Sequence, residues 1–252
     1  MSDLNILQNF DKKSYFSEPF PYFVIEKCFP DKIYEMLFKD YSLIIDYLKK
    51  HNDLNNLNNI RLQINSEDFL KTDIFKKSIW FDFVKYHTSK KFLNDFLNIF
   101  NNDLNIYYPK MLSAFENYKS DENYLKIRNK NNSSHKFVID CQPGINTSVI
   151  KKSNIRGPHV DNPVEIFGGL FYLRDDDDSS EGGDLEIYDN ENQKIYFEGK
   201  AEVKNLRNLK KIKSYKYGKN KCIFFLNSVK TIHGISKRSE TNFTRNLTEG
   251  KF

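Results

Sequence analysis

The chain predicts an α+β fold in which packing helices come first and a β-sandwich or jelly roll follows. Three observations carry this. Apolar residues recur at helical spacing up to about residue 100. Beyond residue 109, short apolar runs are separated by polar or Gly/Pro punctuation, as strands are bounded. No helical pattern intervenes between those runs, as a βαβ sheet would require.

Taken in order, Phe20-Pro21-Tyr22-Phe23-Val24-Ile25 has the bulky residues of a short strand. Pro30-Asp31 then supplies a helix start, because Pro is tolerated in the first turn. Ile33, Met36, Leu37, Tyr41, Ile44, Ile45 and Leu48 fall on one stripe, so this helix packs against the core. Helical spacing recurs through Ile74, Phe75, Ile79, Phe83 and Val84, and again through Phe92, Leu93, Phe96, Leu97 and Phe100. The Asn-rich stretch 52–59 reads as a loop. Strands are expected at 124–127, 137–141, 147–151, around His159, and at 169–174, 184–188, 194–197, 222–226, 231–236 and 244–247.

A length of 252 residues fits one domain, with a mainly helical part over 1–108 and a β core with the chemistry over 109–252. The aromatic fraction of 15%, with 22 Phe and 15 Tyr, argues for a packed globule rather than disorder. A net charge of +5 from 39 basic and 34 acidic residues is too balanced to imply a nucleic-acid partner without a local cluster. Cys28, Cys141 and Cys222 form no CxxC pair, so neither a disulfide framework nor a thiolate zinc site is supported, and a reducing compartment is expected. With no apolar run of membrane-spanning length, the expectation is a soluble cytoplasmic protein.

Two charged stretches interrupt the strands. Asp175 to Asp178 are four consecutive acids, followed by Glu181, Asp184 and Glu186, whereas 204–221 carries eight basic residues and no acid. They read as two solvated loops of opposite charge facing each other. The sharper reading has the basic segment contacting an acidic substrate.

The chemistry is expected at Arg156-Gly157-Pro158-His159-Val160-Asp161-Asn162-Pro163. In an extended strand, residues i and i+2 share a face, so His159 and Asp161 present an imidazole and a carboxylate side by side. A two-His, one-carboxylate triad takes a third ligand from elsewhere and leaves metal positions open, and His233 is the candidate. His51, His87 and His135 read as ordinary core or surface residues.

His-x-Asp, a His 72 positions later and Arg245 12 positions beyond it resemble the iron(II) and 2-oxoglutarate-dependent oxygenases. Gly169-Leu170-Phe171-Tyr172-Leu173-Arg174, Gly182-Gly183-Asp184-Leu185, Phe224-Phe225-Leu226-Asn227-Ser228 and the opening Pro19-Phe20-Pro21-Tyr22-Phe23 are similar to the prolyl-4-hydroxylase-like branch. The resemblance implies a double-stranded β-helix core, with Fe(II) on His159, Asp161 and His233. It implies 2-oxoglutarate anchored on Arg245, with O2 as co-substrate and ascorbate as an assay additive. The default outcome is hydroxylation of a C–H bond with release of succinate and CO2.

An anchoring cation in an apolar pocket is best an Arg, which meets a carboxylate with two parallel bonds. Arg238 is the rival of Arg245. Arg245 is preferred because a strand antiparallel to that of His233 would return it beside the metal, whereas Arg238 falls near the turn. Tyr172 is a candidate donor to the co-substrate, and Arg156 and Asn162 flank the ligands. The prime substrate, a small molecule or a protein side chain, and the oligomeric state stay open. A nucleic-acid demethylase of the same superfamily is disfavoured, since only Tyr215 and Tyr217 interleave the positive charge. The alternative from another class is a non-catalytic jelly-roll module binding an acidic ligand. A cupin-like zinc enzyme would usually show a His-x-His pair, which is absent.

Overall fold

Pro30 opens the first helix, α1 (Asp31–His51), as its missing N–H allows. The computed structural model describes residues 2–118, 120–121, 123–129, 137–190, 197–198, 202–203 and 206–251. Tyr34, Leu37, Tyr41, Ile44 and Leu48 of α1 are buried. Met36, expected on this stripe, is exposed, because it lies about 100° around the helix from Leu37. The Tyr41 hydroxyl accepts from the Gly144 N–H at 2.9 Å and donates to the Leu247 carbonyl at 2.6 Å, tying the helix to the sheet behind the candidate site.

The remaining helices are α2 (Ser66–Lys71), α3 (Ile79–His87), α4 (Lys90–Ile99), α5 (Asn101–Tyr107) and α6 (Pro109–Tyr118). The second expected helical run divides: Ile74 is exposed and Phe75 sits in a 3-10 turn before α3. Strands were expected from residue 109, yet Pro109 starts α6, since Pro begins a helix as readily as it ends one.

The strands are β1 (Tyr15–Phe16), β2 (Tyr22–Ile25), β3 (Arg61–Gln63), β4 (Leu125–Ile127), β5 (Phe137–Asn146), β6 (Phe167–Leu173), β7 (Leu185–Asn190), β8 (Phe197–Glu198), β9 (Glu202–Val203), β10 (Leu209–Tyr215), β11 (Lys219–Leu226), β12 (His233–Ile235) and β13 (Arg245–Lys251). The larger sheet has the order β1-β2-β11-β6-β13-β5-β3, with β4 parallel to β5. A smaller sheet has the order β10-β7-β12. Thus N-terminal strands edge and extend the β core, although the sequence placed that core after the helices.

The two sheets face each other. Tyr22, Leu170, Tyr172, Ile223, Phe225 and Leu247 from the larger sheet pack with Leu185, Ile187, Tyr215 and Ile235 from the smaller. The other face of the larger sheet receives the helices through contacts such as Phe83 with Phe171 and Phe96 with Phe167 and Phe224. This alternation leaves one enclosed face for the site and gives the other to packing.

Several expectations change. Residues 147–151 form no strand, only the bridge of Val149 with Thr241. The expected strand at 194–197 falls largely outside the described residues, as do residues 204 and 205 and His135. The described part of the basic segment is mostly strand rather than loop: β10 pairs with β7 as an outer strand and carries exposed lysines, a composition that protects strand edges. Lys219 meets Asp176 at 2.7 Å and Lys211 meets Glu186 at 2.9 Å, so the two charged stretches do touch. Asp178, however, is buried. Among the described residues, no helix is long and apolar enough to cross a membrane.

Candidate metal centre

His159 lies between β5 and β6 in two isolated bridges, to His233 and to Glu202, rather than on a continuous strand. Its N–H donates to the His233 carbonyl at 2.8 Å, and the His233 N–H returns a bond to the His159 carbonyl at 2.9 Å. This reciprocal pair brings the two imidazoles together across 74 residues of sequence, with ring centroids 4.3 Å apart. Asp161 follows two positions later. A Cβ at Gly168 would stand 2.9 Å from Asp161 Oδ2, so a residue without a side chain is needed beside this carboxylate. The Asn227 amide donates to the carbonyls of Asn162 and Glu165, both at 2.8 Å, and holds the loop after Asp161 against the end of β11.

His159, Asp161 and His233 are all buried, and one ligand atom from each lies within 4.8 Å of the others. His159 Nε2 is 3.5 Å from Asp161 Oδ1, and His233 Nε2 is 3.7 Å from Oδ2. Each Nδ1 faces a carbonyl, Gly157 at 2.7 Å and Thr231 at 3.1 Å. A carbonyl only accepts, so each ring carries a proton on Nδ1 and turns Nε2, the atom that would ligate a metal, toward Asp161. Burial, with His159 beside it, pushes the His233 imidazole down to about 4. Burial would raise the Asp161 carboxyl, but His233 and His159 together hold it well below the usual carboxylate range. Two imidazoles and a carboxylate are the donor set of an open-faced divalent metal site. The three line a cavity of about 240 Å³.

Arg245 and Tyr172 come together on neighbouring strands, the guanidinium carbon 4.8 Å from the ring centre, while Tyr217 lies at 5.0 Å on another side. Arg245 is buried, and none of its three guanidinium nitrogens has a hydrogen-bond partner; the Tyr172 hydroxyl and the amide nitrogen of Asn146, opposite Arg245 in register, also lack one. Such a group normally finds a partner when removed from water, so this cluster fits an anionic carboxylate.

Arg238 is not equivalent. Its Nη2 donates to Asp178 at 2.8 Å and its Nε to Ser180 at 2.9 Å, leaving Nη1 without a partner. Its charge is already neutralised by a buried acid. The reason given from sequence for preferring Arg245 does not hold, because β12 and β13 lie in different sheets. Arg156 reaches Asp161 at 3.8 Å, and the Asn162 side chain accepts from the Val164 N–H.

His87 is a buried core residue, and His51 is an exposed one at the end of α1. Sequence reasoning did not single out Asn227 or Tyr217 for these roles, nor Arg61, Glu249 and Lys251, which line the cavity. The alternation Arg245, Leu247, Glu249, Lys251 was a usable signal, since alternate residues of one strand share a face.

No family model and no curated protein matches the chain. Among solved structures it is similar to a prolyl 4-hydroxylase from Phytophthora capsici, at 13% identity and a TM-score of 0.46, over 99% of this chain and 61% of that one. It is similar to a Pseudomonas putida prolyl-4-hydroxylase at 9% identity and a TM-score of 0.43, covering 100% and 96% of the two chains. It is also similar to a Trichoplax adhaerens prolyl hydroxylase, solved in complex with a hypoxia inducible factor oxygen degradation domain peptide fragment. That likeness has 12% identity and a TM-score of 0.43, over 99% and 87% of the chains.

Proposed function

We propose that this chain is a non-haem Fe(II)- and 2-oxoglutarate-dependent dioxygenase, a single domain over residues 1–252 with a double-stranded β-helix core. Its substrate is a small molecule or a protein side chain bearing the C–H bond to be hydroxylated. The observation that carries this reading is the pairing of an open two-His, one-carboxylate cluster with a buried, unpartnered guanidinium in the same inter-sheet space. Neither half alone would distinguish an oxygenase from a simple metal site.

The residues fit the group each would hold. His159, Asp161 and His233 would hold Fe(II), their Nδ1–H bonds to Gly157 and Thr231 fixing ring orientation. Arg245, helped by the Tyr172 hydroxyl, would hold the distal carboxylate of 2-oxoglutarate. Bound together, iron, 2-oxoglutarate and O2 supply the oxidising chemistry that yields succinate and CO2. The chain orients these groups and excludes water, with Leu170, Leu185 and Ile235 forming the apolar wall on the Arg245 side. Cys28, Cys141 and Cys222 are buried and free, which suits the reducing cytoplasm.

The test is succinate formation from 2-oxoglutarate in air with Fe(II) present. Slow substrate-independent turnover is expected in wild type and not in folded Asp161→Ala. Equal succinate from both proteins would remove the proposal.

A further inference from the structure

Tyr217 stands in the short connection between β10 and β11, inside the Lys-rich stretch, yet it is only 1% exposed. Each of its polar groups is held. The N–H donates to Asp184 Oδ1 at 3.0 Å, and the carbonyl accepts from Arg174 Nη1 at 2.9 Å. The hydroxyl accepts from the Asn246 N–H at 3.0 Å and donates to the Leu173 carbonyl at 3.4 Å. Leu173 and Asn246 adjoin Tyr172 and Arg245 in sequence, so this hydroxyl bonds to both strands that carry the unpartnered cluster. Arg174 and Asp184 flank the acidic stretch, which is thereby part of the brace: Arg174 also donates to the carbonyls of Asp178 and Ser180.

Three guanidinium groups gather round the Tyr217 ring. Their carbons lie 5.0 Å (Arg245), 5.3 Å (Arg174) and 5.9 Å (Arg238) from its centre. Arg174 gives its nitrogens to backbone carbonyls, and Arg238 gives two of its own to Asp178 and Ser180. Among the described residues, Arg245 has no hydrogen-bond partner. Its contacts are the rings of Tyr217 and Tyr172, whose planes stand at 85° to each other. An aromatic face attracts a guanidinium most strongly where water is excluded. An acid would hold Arg245 as well, but it would occupy the donors and cancel the charge, as Asp178 does for Arg238. A ring does neither.

We infer that Tyr217 is a positioning residue for Arg245: its ring, fixed by Asp184, Arg174 and Asn246, holds the guanidinium in place and leaves its donors free for the 2-oxoglutarate carboxylate. This rests on the oxygenase reading and adds to it a residue outside the metal cluster that acts through Arg245. The gain is preorganisation. A long side chain that binding must immobilise lowers affinity about two- to tenfold, and here that ordering is already present in the ligand-free protein.

The experiment is anaerobic 2-oxoglutarate titration of the Fe(II)-loaded protein, followed by the charge-transfer band, beside Fe(II) titration and urea unfolding without ligand. Tyr217→Leu removes the ring and should weaken 2-oxoglutarate about two- to tenfold while leaving Fe(II) affinity unchanged. Tyr217→Phe keeps the ring and loses the hydroxyl, and should bind 2-oxoglutarate within about twofold of wild type. In the Arg245→Met background, Tyr217→Leu should have no further effect on 2-oxoglutarate. Without ligand, Tyr217→Leu should lower the urea midpoint more when Arg245 is present than in that background. Asp184→Ala leaves the ring in the core and removes one of its restraints, so it should weaken 2-oxoglutarate in the same direction by a smaller factor even if Tyr217→Leu folds poorly. Unchanged 2-oxoglutarate affinity in Tyr217→Leu, an equal loss in the Arg245→Met background, a matching loss of Fe(II) affinity, or a Tyr217→Phe as weak as Tyr217→Leu would overturn the inference. Wild type separates the two levels: a band there with unaffected variants removes this inference alone, whereas no band removes the oxygenase reading and this inference with it.

Discussion

The Arg245 guanidinium stands 4.8 Å from the Tyr172 ring centre, and neither its nitrogens nor the Tyr172 hydroxyl has a hydrogen-bond partner. A cation buried this way destabilises the protein that carries it unless an anion joins it. Arg245→Met should therefore stabilise the ligand-free protein by about 1–4 kcal/mol in urea unfolding, while raising the 2-oxoglutarate requirement about tenfold or more. Tyr172→Phe should weaken 2-oxoglutarate by a smaller factor, about 0.5–1.5 kcal/mol. A destabilised Arg245→Met with normal 2-oxoglutarate affinity would place the co-substrate elsewhere.

Arg238 should behave in the opposite manner. Removing it takes from the buried carboxylate of Asp178 its 2.8 Å partner and leaves it only Arg174 at 3.9 Å and the Ser180 N–H, so Arg238→Met is expected to lose about 3 kcal/mol of stability. The double variant Arg238→Met with Asp178→Asn should recover much of that loss. The folded fraction should bind 2-oxoglutarate as wild type does, which equilibrium titration at low temperature can measure.

Gly168 and Gly169 are adjacent but face opposite layers. A Cβ at Gly168 would approach Phe225 and the Asp161 carboxylate, whereas one at Gly169 would stand 2.2 Å from the Phe224 ring on the helix side. Gly168→Ala should weaken divalent-metal binding. Gly169→Ala should leave metal affinity intact and lower stability by about 1–3 kcal/mol through overpacking. Metal titration and thermal unfolding of the two variants distinguish these outcomes.

Burial pushes the His87 imidazole down to about 3, against an ordinary value near 6.5. Between those pH values the unfolded chain binds a proton at His87 and the folded chain does not, so unfolding free energy rises with pH. The contribution is present above about pH 6.5 and is lost as pH falls toward 3. His87→Gln should reduce the slope of stability against pH in this window by up to about 1.4 kcal/mol per unit. An unchanged slope in urea denaturation across the window would contradict the assignment.

The cluster of His159, Asp161 and His233 was legible because His-x-Asp is local and its extended geometry survives in isolated bridges, and because His233 was sought as a distal partner to it. What could not be read was what depends on register and on which sheet a strand joins. Arg61, Glu249 and Lys251 share a wall because β3, β5 and β13 are neighbours, a tertiary fact absent from their spacing. Tyr217 was hidden in a Lys-rich stretch, and β10 was read as part of a loop because its lysines mask the strand pattern. Conversely, α6 was missed because the change from helices to strands was placed at Pro109, which is a first-turn residue of this helix.

The most direct test of the central claim is anaerobic titration of Fe(II) and 2-oxoglutarate, following the weak visible metal-to-ligand charge-transfer band. Wild type should give the band, and His159→Ala and His233→Ala should each abolish it. In Arg245→Ala the band should appear only at far higher 2-oxoglutarate. A folded, iron-loaded wild type that gives no band would contradict the account.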